Sequence, residues 1–305
     1  MILRSLLFVP ANSWRMITRS LSGKADAIVL DLEDSVPIGE KETARWFVKD
    51  FLEDIEGNPK GSSIFVRVNS VGSGLYGEDI KYAVQKALDG IIIPKAESRG
   101  DILRIEEAIK AEENRKGLKS KVLIIPIIES SKGLVNIDEI VNASPRIVAL
   151  TFGAADFLRD LGRGYMQLSK DEFELLYIRS KVSITAHAYN ILALDTVYLG
   201  LIIDMEGLER EARIAYMLGF NGKFVIHPSH VETVNKVFTP SPQEVEEAKG
   251  IVKSYEEALS KGLGATTYAG RMIDEATYKQ AKSLLQLVKE IDEREAGFSA
   301  SRGNR

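Results

Sequence analysis

The 305-residue sequence contains no cysteine. That absence removes disulfides, thiolate metal sites and a cysteine nucleophile together. With only 3 histidines, nitrogen-rich coordination of a soft metal has little to draw on. No run approaches the roughly 18–20 apolar residues that cross a bilayer. The apolar stretch LLFV after Arg4 is too short for a signal peptide, so a cytoplasmic location is the expectation. Neither charge sign dominates: 40 basic and 44 acidic residues leave a net −4, which speaks against nucleic acid or a membrane surface as partner. Nor does a GxGxxG fingerprint follow the first apolar run. The stretch VGSGLYG (71–77) lacks the lysine and spacing of a phosphate loop and reads as a flexible loop.

What the chain does have is repetition. Short β-rich runs recur at 6–10, 27–34, 63–69, 90–96, 121–129, 146–153, 193–200 and 222–228. Helical spacing fills the intervals, as in DILRIEEAIKAEENRKG (101–117) and EGLEREARIAYMLGF (206–220). Strictly alternating strands and helices imply parallel pairing, and eight such units imply a closed (β/α)8 barrel rather than an open doubly wound sheet. The expected division is a barrel domain over 1–238, a C-terminal helical lid or extension over 239–294, and a disordered tail over 295–305. Gly262, Gly264 and Gly270 suit a hinge in that lid.

The stretch VLIIPIIE (122–129) raises the functional question, because an unpaired carboxylate is costly at the end of a doubly buried strand. Side-chain parity answers it. Ile125, Ile127 and Glu129 share one face. Phe65, Arg67 and Asn69 point inward if Ile64, Val66 and Val68 face the helices, and Asp31 and Glu33 do so on the second strand. On the fourth, Lys95 is expected inward with Ile91 and Ile93. Each charge sits at a strand's C-terminal end, where barrel active sites are built. Glu129 after the fifth strand and Asp156 after the sixth are close enough to share one hard, oxygen-loving ion, and Mg²⁺ suits two carboxylates completed by water and substrate oxygens. Capping or salt bridging is the alternative for each. Arg67 offers a planar fork to a carboxylate or a forming enolate, or else neutralises Glu33. Glu33 could act on the ion through water or orient Arg67, whereas Asp31, deeper, reads as structural. Asp274 reads as the N-cap of a following helix. His187 and His227 suit structural roles.

The stretches RSLLFVPAN, DAIVLDLEDSV, VRVN, IPKAES, PIIESSKGLVN, LTFGAADFLRDLG and DMEGLEREARIAYMLGFNGKFVIHPSH resemble the citrate lyase beta-chain and malyl-CoA lyase family, in order along the chain. The later GATTYAGRMID resembles the C-terminal segment of its acyl-CoA lyases. The resemblance implies a barrel of the phosphoenolpyruvate/pyruvate type. It implies a Mg²⁺-dependent lyase acting on a 3-hydroxyacyl-CoA thioester and yielding acetyl-CoA and an oxo acid (glyoxylate, pyruvate or oxaloacetate). Glu129 and Asp156 would hold the metal, with Glu129 also meeting the substrate. Arg67 and Ala155 would bind the oxo acid, with Arg67 and Glu33 catalytic. Asn12 and Arg15 would serve the CoA, and Asp274 would be the acid/base. The resemblance also implies a homotrimer or hexamer. Ala11, Trp14 and His230 depart from the family pattern, which has Gly, Pro and Gln there. Three other functions compete: a citrate lyase beta chain working on an acyl carrier protein, a malyl-CoA thioesterase or malate-synthase-like enzyme, and a noncatalytic CoA- or oxo-acid-binding protein.

Overall fold

The computed structural model describes residues 1–56, 61–163, 168–169 and 171–302. Eight strands form a closed barrel in chain order: β1 Ser5–Pro10, β2 Ala27–Asp31, β3 Ser63–Arg67, β4 Gly90–Ile93, β5 Leu123–Ile128, β6 Ala149–Phe152, β7 Leu192–Asp195 and β8 Gly222–Val225. Every neighbouring pair is parallel, and β8 closes onto β1 through Leu6 opposite Phe224. A helix follows each strand and covers the outside, because parallel strands need crossovers and their β-branched outer faces must be buried.

Alternation along the strands sorts the core into two layers. Ile28, Leu30, Ile64, Val66, Ile91, Ile93 and Val225 pack outward with the helices. Leu6, Val29, Phe65, Ile92, Ile125, Ile127, Leu194 and Phe224 fill the interior. Gly90 is a packing requirement, since a Cβ there would stand 2.6 Å from the Phe65 ring that plugs the barrel. Below the mouth, therefore, the lumen is solid hydrocarbon, and polar inward residues appear only where the strands end.

The chain divides into two compact units, Leu3–Phe238 and Met1–Ile2 with Thr239–Arg305. In the second, the helix Pro242–Leu259 opens with a full capping box between Ser241 and Glu244. The segment expected to be a glycine hinge instead contains a hairpin, β9 Thr266–Tyr268 and β10 Arg271–Ile273. Ala269 and Gly270 turn it with φ of 47° and 78°, the paired left-handed geometry of a type I′ turn.

Two further expectations need correction. Residues 71–77 are not a loop: Val71–Ser73 is a 3₁₀ turn and the helix Tyr76–Ala83 begins within the stretch. On β4 it is Ile92 that faces the interior, while Ile91 and Ile93 face the helices, so Lys95 does not enter the barrel by alternation. The last helix runs from Glu275 to Arg302, and residues 303–305 lie outside the described residues.

Candidate active site

At the C-terminal end of the barrel lies a cavity of about 420 Å³. Its lining follows from strand parity: Phe8, Asp31, Arg67, Glu129, Thr151 and Thr196 all stand on the inward register of their strands or just beyond the strand end. Ala155 and Asp156 also line it, from the helix Ala154–Asp160 that follows β6. Phe8, Ile127, Phe224 and Ile226 make the walls largely apolar, which strengthens every electrostatic interaction inside.

Arg67 is held rigidly. Its Nε and Nη2 donate to the two oxygens of Asp31 at 2.7 and 2.8 Å, a bidentate fork, and the guanidinium lies 4.7 Å from the centre of the Phe8 ring. Burial alone would raise the Asp31 pKa, but the guanidinium outweighs it and holds the carboxyl below its ordinary value. Asp31 also accepts the backbone N–H groups of Glu33 and Ser35, so the same carboxylate shapes the loop after β2. Lys41 completes that loop by donating to the carbonyls of Leu32 and Glu33. Asn69 does not reach the cavity; its amide bonds to the Leu32 carbonyl and Asp79.

Glu129 leaves β5 into the mouth, where its Oε2 accepts the Lys95 backbone N–H at 2.7 Å. Burial, and then the nearby charge of Glu33, push its pKa up to about 7. Gly153 makes room for it, because a Cβ there would stand 2.4 Å from Glu129 Oε1. Asp156 is 3.0 Å from Arg159 Nη1 and 3.4 Å from Lys95 Nζ. The helix bearing Asp156 is anchored where its Ala154 N–H donates to Thr196 Oγ1.

Glu33 bonds to Lys95 Nζ through Oε1. Its Oε2 lies 3.1 Å from Arg67 Nη1, close enough for charge attraction, yet this buried oxygen makes no aligned hydrogen bond. Burial dominates and raises the Glu33 pKa despite both cations. Asp34 stands at the rim, 3.4 Å from Arg67 and 3.6 Å from Lys95.

Five carboxylates (Asp31, Glu33, Asp34, Glu129 and Asp156) therefore face Arg67 and Lys95. A raised Glu129 pKa and an unbonded Glu33 oxygen mark uncompensated negative potential. The donors are all hard oxygens. Among the described residues no three His, Cys, Asp or Glu side chains are arranged as a metal cage. Hard carboxylate oxygens suit Mg²⁺, which binds through one or two carboxylates and keeps several water or substrate oxygens, and Glu129 with Asp156 would hold it.

The other barrel candidates do not line this cavity. Asn12 donates to Glu40, and Arg15 lies exposed on the short helix Trp14–Ser20. Asp274 caps the final helix in the C-terminal unit, its Oδ1 accepting from the Thr277 N–H and hydroxyl, and those bonds lower its pKa. His187 meets the Gly219 carbonyl, His227 Nδ1 lies 2.7 Å from the Ser229 hydroxyl, and buried His230 meets the Ile202 carbonyl. Asp31, read from the sequence as inward and structural, serves as the Arg67 clamp, a role legible only from the opposition of Asp31 and Arg67 across β2 and β3. One participant escaped sequence reasoning. Thr196 props the Asp156 helix, and no sequence signal points to it.

The family model described as HpcH/HpaI aldolase/citrate lyase matches residues 4–228. Citrate lyase subunit beta of Leuconostoc mesenteroides subsp. cremoris is 34% identical over 286 residues, covering 93% of each chain. Human mitochondrial citramalyl-CoA lyase is 33% identical over 301 residues, 95% of this chain and 87% of that protein. Among solved structures, protein CitE of Mycobacterium tuberculosis in complex with magnesium, acetoacetate and coenzyme A superposes with a TM-score of 0.75 at 28% identity, over 94% of this chain and 98% of that one.

Proposed function

The chain belongs to the HpcH/HpaI aldolase/citrate lyase family, and from that premise we propose that it is a Mg²⁺-dependent carbon–carbon lyase. Its substrate is a 3-hydroxyacyl-CoA such as malyl-CoA or citramalyl-CoA, which it cleaves to, or assembles from, acetyl-CoA and an oxo acid. The observation that carries this reading is the acidic mouth, where Glu129 and Asp156 line one cavity beside a clamped arginine.

In the cleavage direction the 3-hydroxyl gives up its proton and the bond between C2 and C3 breaks. The electron pair of that bond passes to the thioester enolate, which is then protonated to acetyl-CoA while the new carbonyl departs in the oxo acid. When bound, Mg²⁺ supplies Lewis-acid polarisation of the oxygen at the reacting carbon. Arg67, fixed by Asp31, binds the oxo acid's oxygens without reorganising as charge develops. Ala155 lines the oxo-acid end of the cavity, and Glu33 steadies Arg67 and Lys95. The apolar walls keep water from the enolate. Asp274 is proposed as the acid/base, with Asn12 and Arg15 serving CoA. We place the enzyme in the cytoplasm as a homotrimer or hexamer. No helix among the described residues is long and apolar enough to cross a membrane.

The similarity to citrate lyase subunit beta favours a second reading, a citryl thioester carried on an acyl carrier protein. One coupled assay decides between them: purified protein against malyl-, citramalyl- and citryl-CoA, with Mg²⁺ and with EDTA. Acetyl-CoA release from malyl- or citramalyl-CoA that EDTA stops is the expected result. No release from any of the three, at any Mg²⁺ concentration, refutes the acyl-CoA lyase. Free thiol without oxo acid would indicate thioester hydrolysis instead. Because asparagine caps a helix as well as aspartate does, Asp274→Asn separates acid from cap: kcat is expected to fall about a hundredfold with CoA affinity and melting temperature unchanged. Undiminished turnover would leave Asp274 a cap.

A further inference from the structure

Lys95 contacts four of the five mouth carboxylates. Its ammonium pairs with Glu33 Oε1 and stands 3.4 Å from Asp156 and 3.6 Å from Asp34, while its backbone N–H donates to Glu129. The geometry comes from one unusual dihedral. Strand alternation would turn this side chain toward the helices with Ile91 and Ile93, but Lys95 has φ of 51°, a left-handed conformation that few non-glycine residues adopt. The reversal after β4 swings the side chain into the mouth and aims the amide at Glu129 in the same stroke. The ammonium is half-buried, its side chain 34% exposed, so it can pivot about its four-carbon stem between Glu33, Asp34 and Asp156 without leaving the cluster.

We propose that Lys95 is the resident competitor of the divalent ion: bonded to Glu33, its ammonium stands 3.4 Å from the cavity-side oxygen of Asp156, whose other oxygen pairs with exposed Arg159, and it must withdraw before Mg²⁺ takes that carboxylate, so Lys95 sets the metal affinity of the site. The inference rests on the reading of Glu129 and Asp156 as the Mg²⁺ carboxylates. An ammonium and a dication drawn to one carboxylate repel each other across a few ångströms of a low-dielectric cavity. Lys95 is thus a positioning residue, holding the acidic side chains together and releasing one of them to the metal. The displaced ammonium keeps its bond to Glu33 and swings toward Asp34, which is 60% exposed at the rim.

The sign of one change separates this role from ordinary structural support. Loss of a supporting residue loosens the carboxylates and weakens metal binding; loss of a competitor tightens it. The test is Mn²⁺ binding followed by electron paramagnetic resonance, with Mg²⁺ displacement, on the full chain and on Lys95→Met, Lys95→Arg and Glu129→Gln. Lys95→Met is expected to bind at least about tenfold more tightly than wild type, and Lys95→Arg within about threefold of it. Wild-type binding that is unchanged or weakened in Lys95→Met overturns the competitor and leaves the metal reading standing. No saturable binding by wild type, or full binding by Glu129→Gln, overturns the metal reading and the competitor with it. Should Lys95→Met be too unstable without metal, it is purified in Mg²⁺ and melted across a Mg²⁺ series. A larger rise in melting temperature than in wild type supports competition, and an equal or smaller rise refutes it.

Discussion

Two buried clusters of charge sit on the same barrel and behave as opposites. One is the mouth. The other is in the wall between strands and helices, where Arg179 bonds Asp195, Glu211 and Glu172, and Lys223 bonds Asp195, Glu211 and the Thr196 carbonyl. Arg179, Asp195 and Lys223 are sealed, at 1% side-chain exposure or less. Burial alone would raise the Asp195 pKa, yet Arg179 and Lys223 hold it below its ordinary value, whereas burial outweighs the same two cations at Glu211 and pushes it up to about 8. None of Arg179, Asp195, Glu211, Glu172 and Lys223 has a buried polar atom without a hydrogen-bond partner, whereas at the mouth Glu33 Oε2 and Thr151 Oγ1 have none. The ingredients are alike. What differs is hydrogen-bond completion and access: both clusters carry more carboxylates than cations, but the wall pairs its carboxylates inside a sealed network, while the mouth leaves a buried carboxylate oxygen unbonded next to a cavity. A satisfied buried network specifies structure, and an unsatisfied one beside a cavity specifies binding.

If that distinction holds, the two clusters fail in different currencies. The largest effect is expected from Glu129→Gln or Asp156→Asn, each lowering Mg²⁺-dependent kcat by about a thousandfold or more, with the urea midpoint of Glu129→Gln unchanged or raised because a buried like charge is gone. Steady-state assays beside urea unfolding check it. Retained turnover in both variants would sink the metal assignment. In the wall, Arg179→Met leaves Asp195 and Glu211 short of a cation and is expected to cost about 3–5 kcal/mol of stability. The fraction that stays folded should turn over normally. A variant as stable as wild type but inactive would make the wall part of the catalytic apparatus.

Gly153→Ala tests how tightly the mouth is built. The new methyl would collide with the end of the Glu129 side chain rather than with backbone, so the carboxylate moves and the fold does not. Mg²⁺ affinity is expected to drop about 10–100-fold, read by calorimetry, with little change in melting temperature. Unaltered affinity would mean that the Glu129 position is not critical.

The contrast between clusters also explains what the sequence could disclose. The barrel was legible because its signal is local: apolar runs such as AIVLDLED and VLIIPIIE, with helical spacing between them, report the fold without knowledge of distant contacts. Strand-end charges were legible by counting alternate residues from Phe65 to Arg67 and from Ile127 to Glu129, and the structure brings those side chains to one cavity. Lys95 was expected inward and does reach the mouth, but through a single left-handed residue rather than by alternation, and no composition rule predicts that turn. The wall was invisible. Arg179, Asp195, Glu211 and Lys223 are separated by 12 to 28 residues along the paired contacts of the lysine alone, and nothing in their spacing says they meet.

The smallest expected effect is a pH dependence that belongs to the mouth. Glu129 titrates near 7 in the folded protein against an ordinary 4.5, so between these values the folded chain holds a proton that the unfolded chain has lost. The Glu129 contribution to stability is therefore full below about pH 4.5 and declines as pH rises through 7. Metal binding runs the other way, because the ion needs the carboxylate. Apparent Mg²⁺ affinity is expected to rise about tenfold per pH unit up to about 7 and to level off above it, with close to one proton released per ion bound below that point. Titration calorimetry in buffers of different ionisation enthalpy measures that proton. Glu129→Gln, which cannot release it, provides the control. A flat affinity between pH 5 and 7 would mean that Glu129 is already ionised there and that Lys95 and Arg67 compensate it more fully than its burial implies.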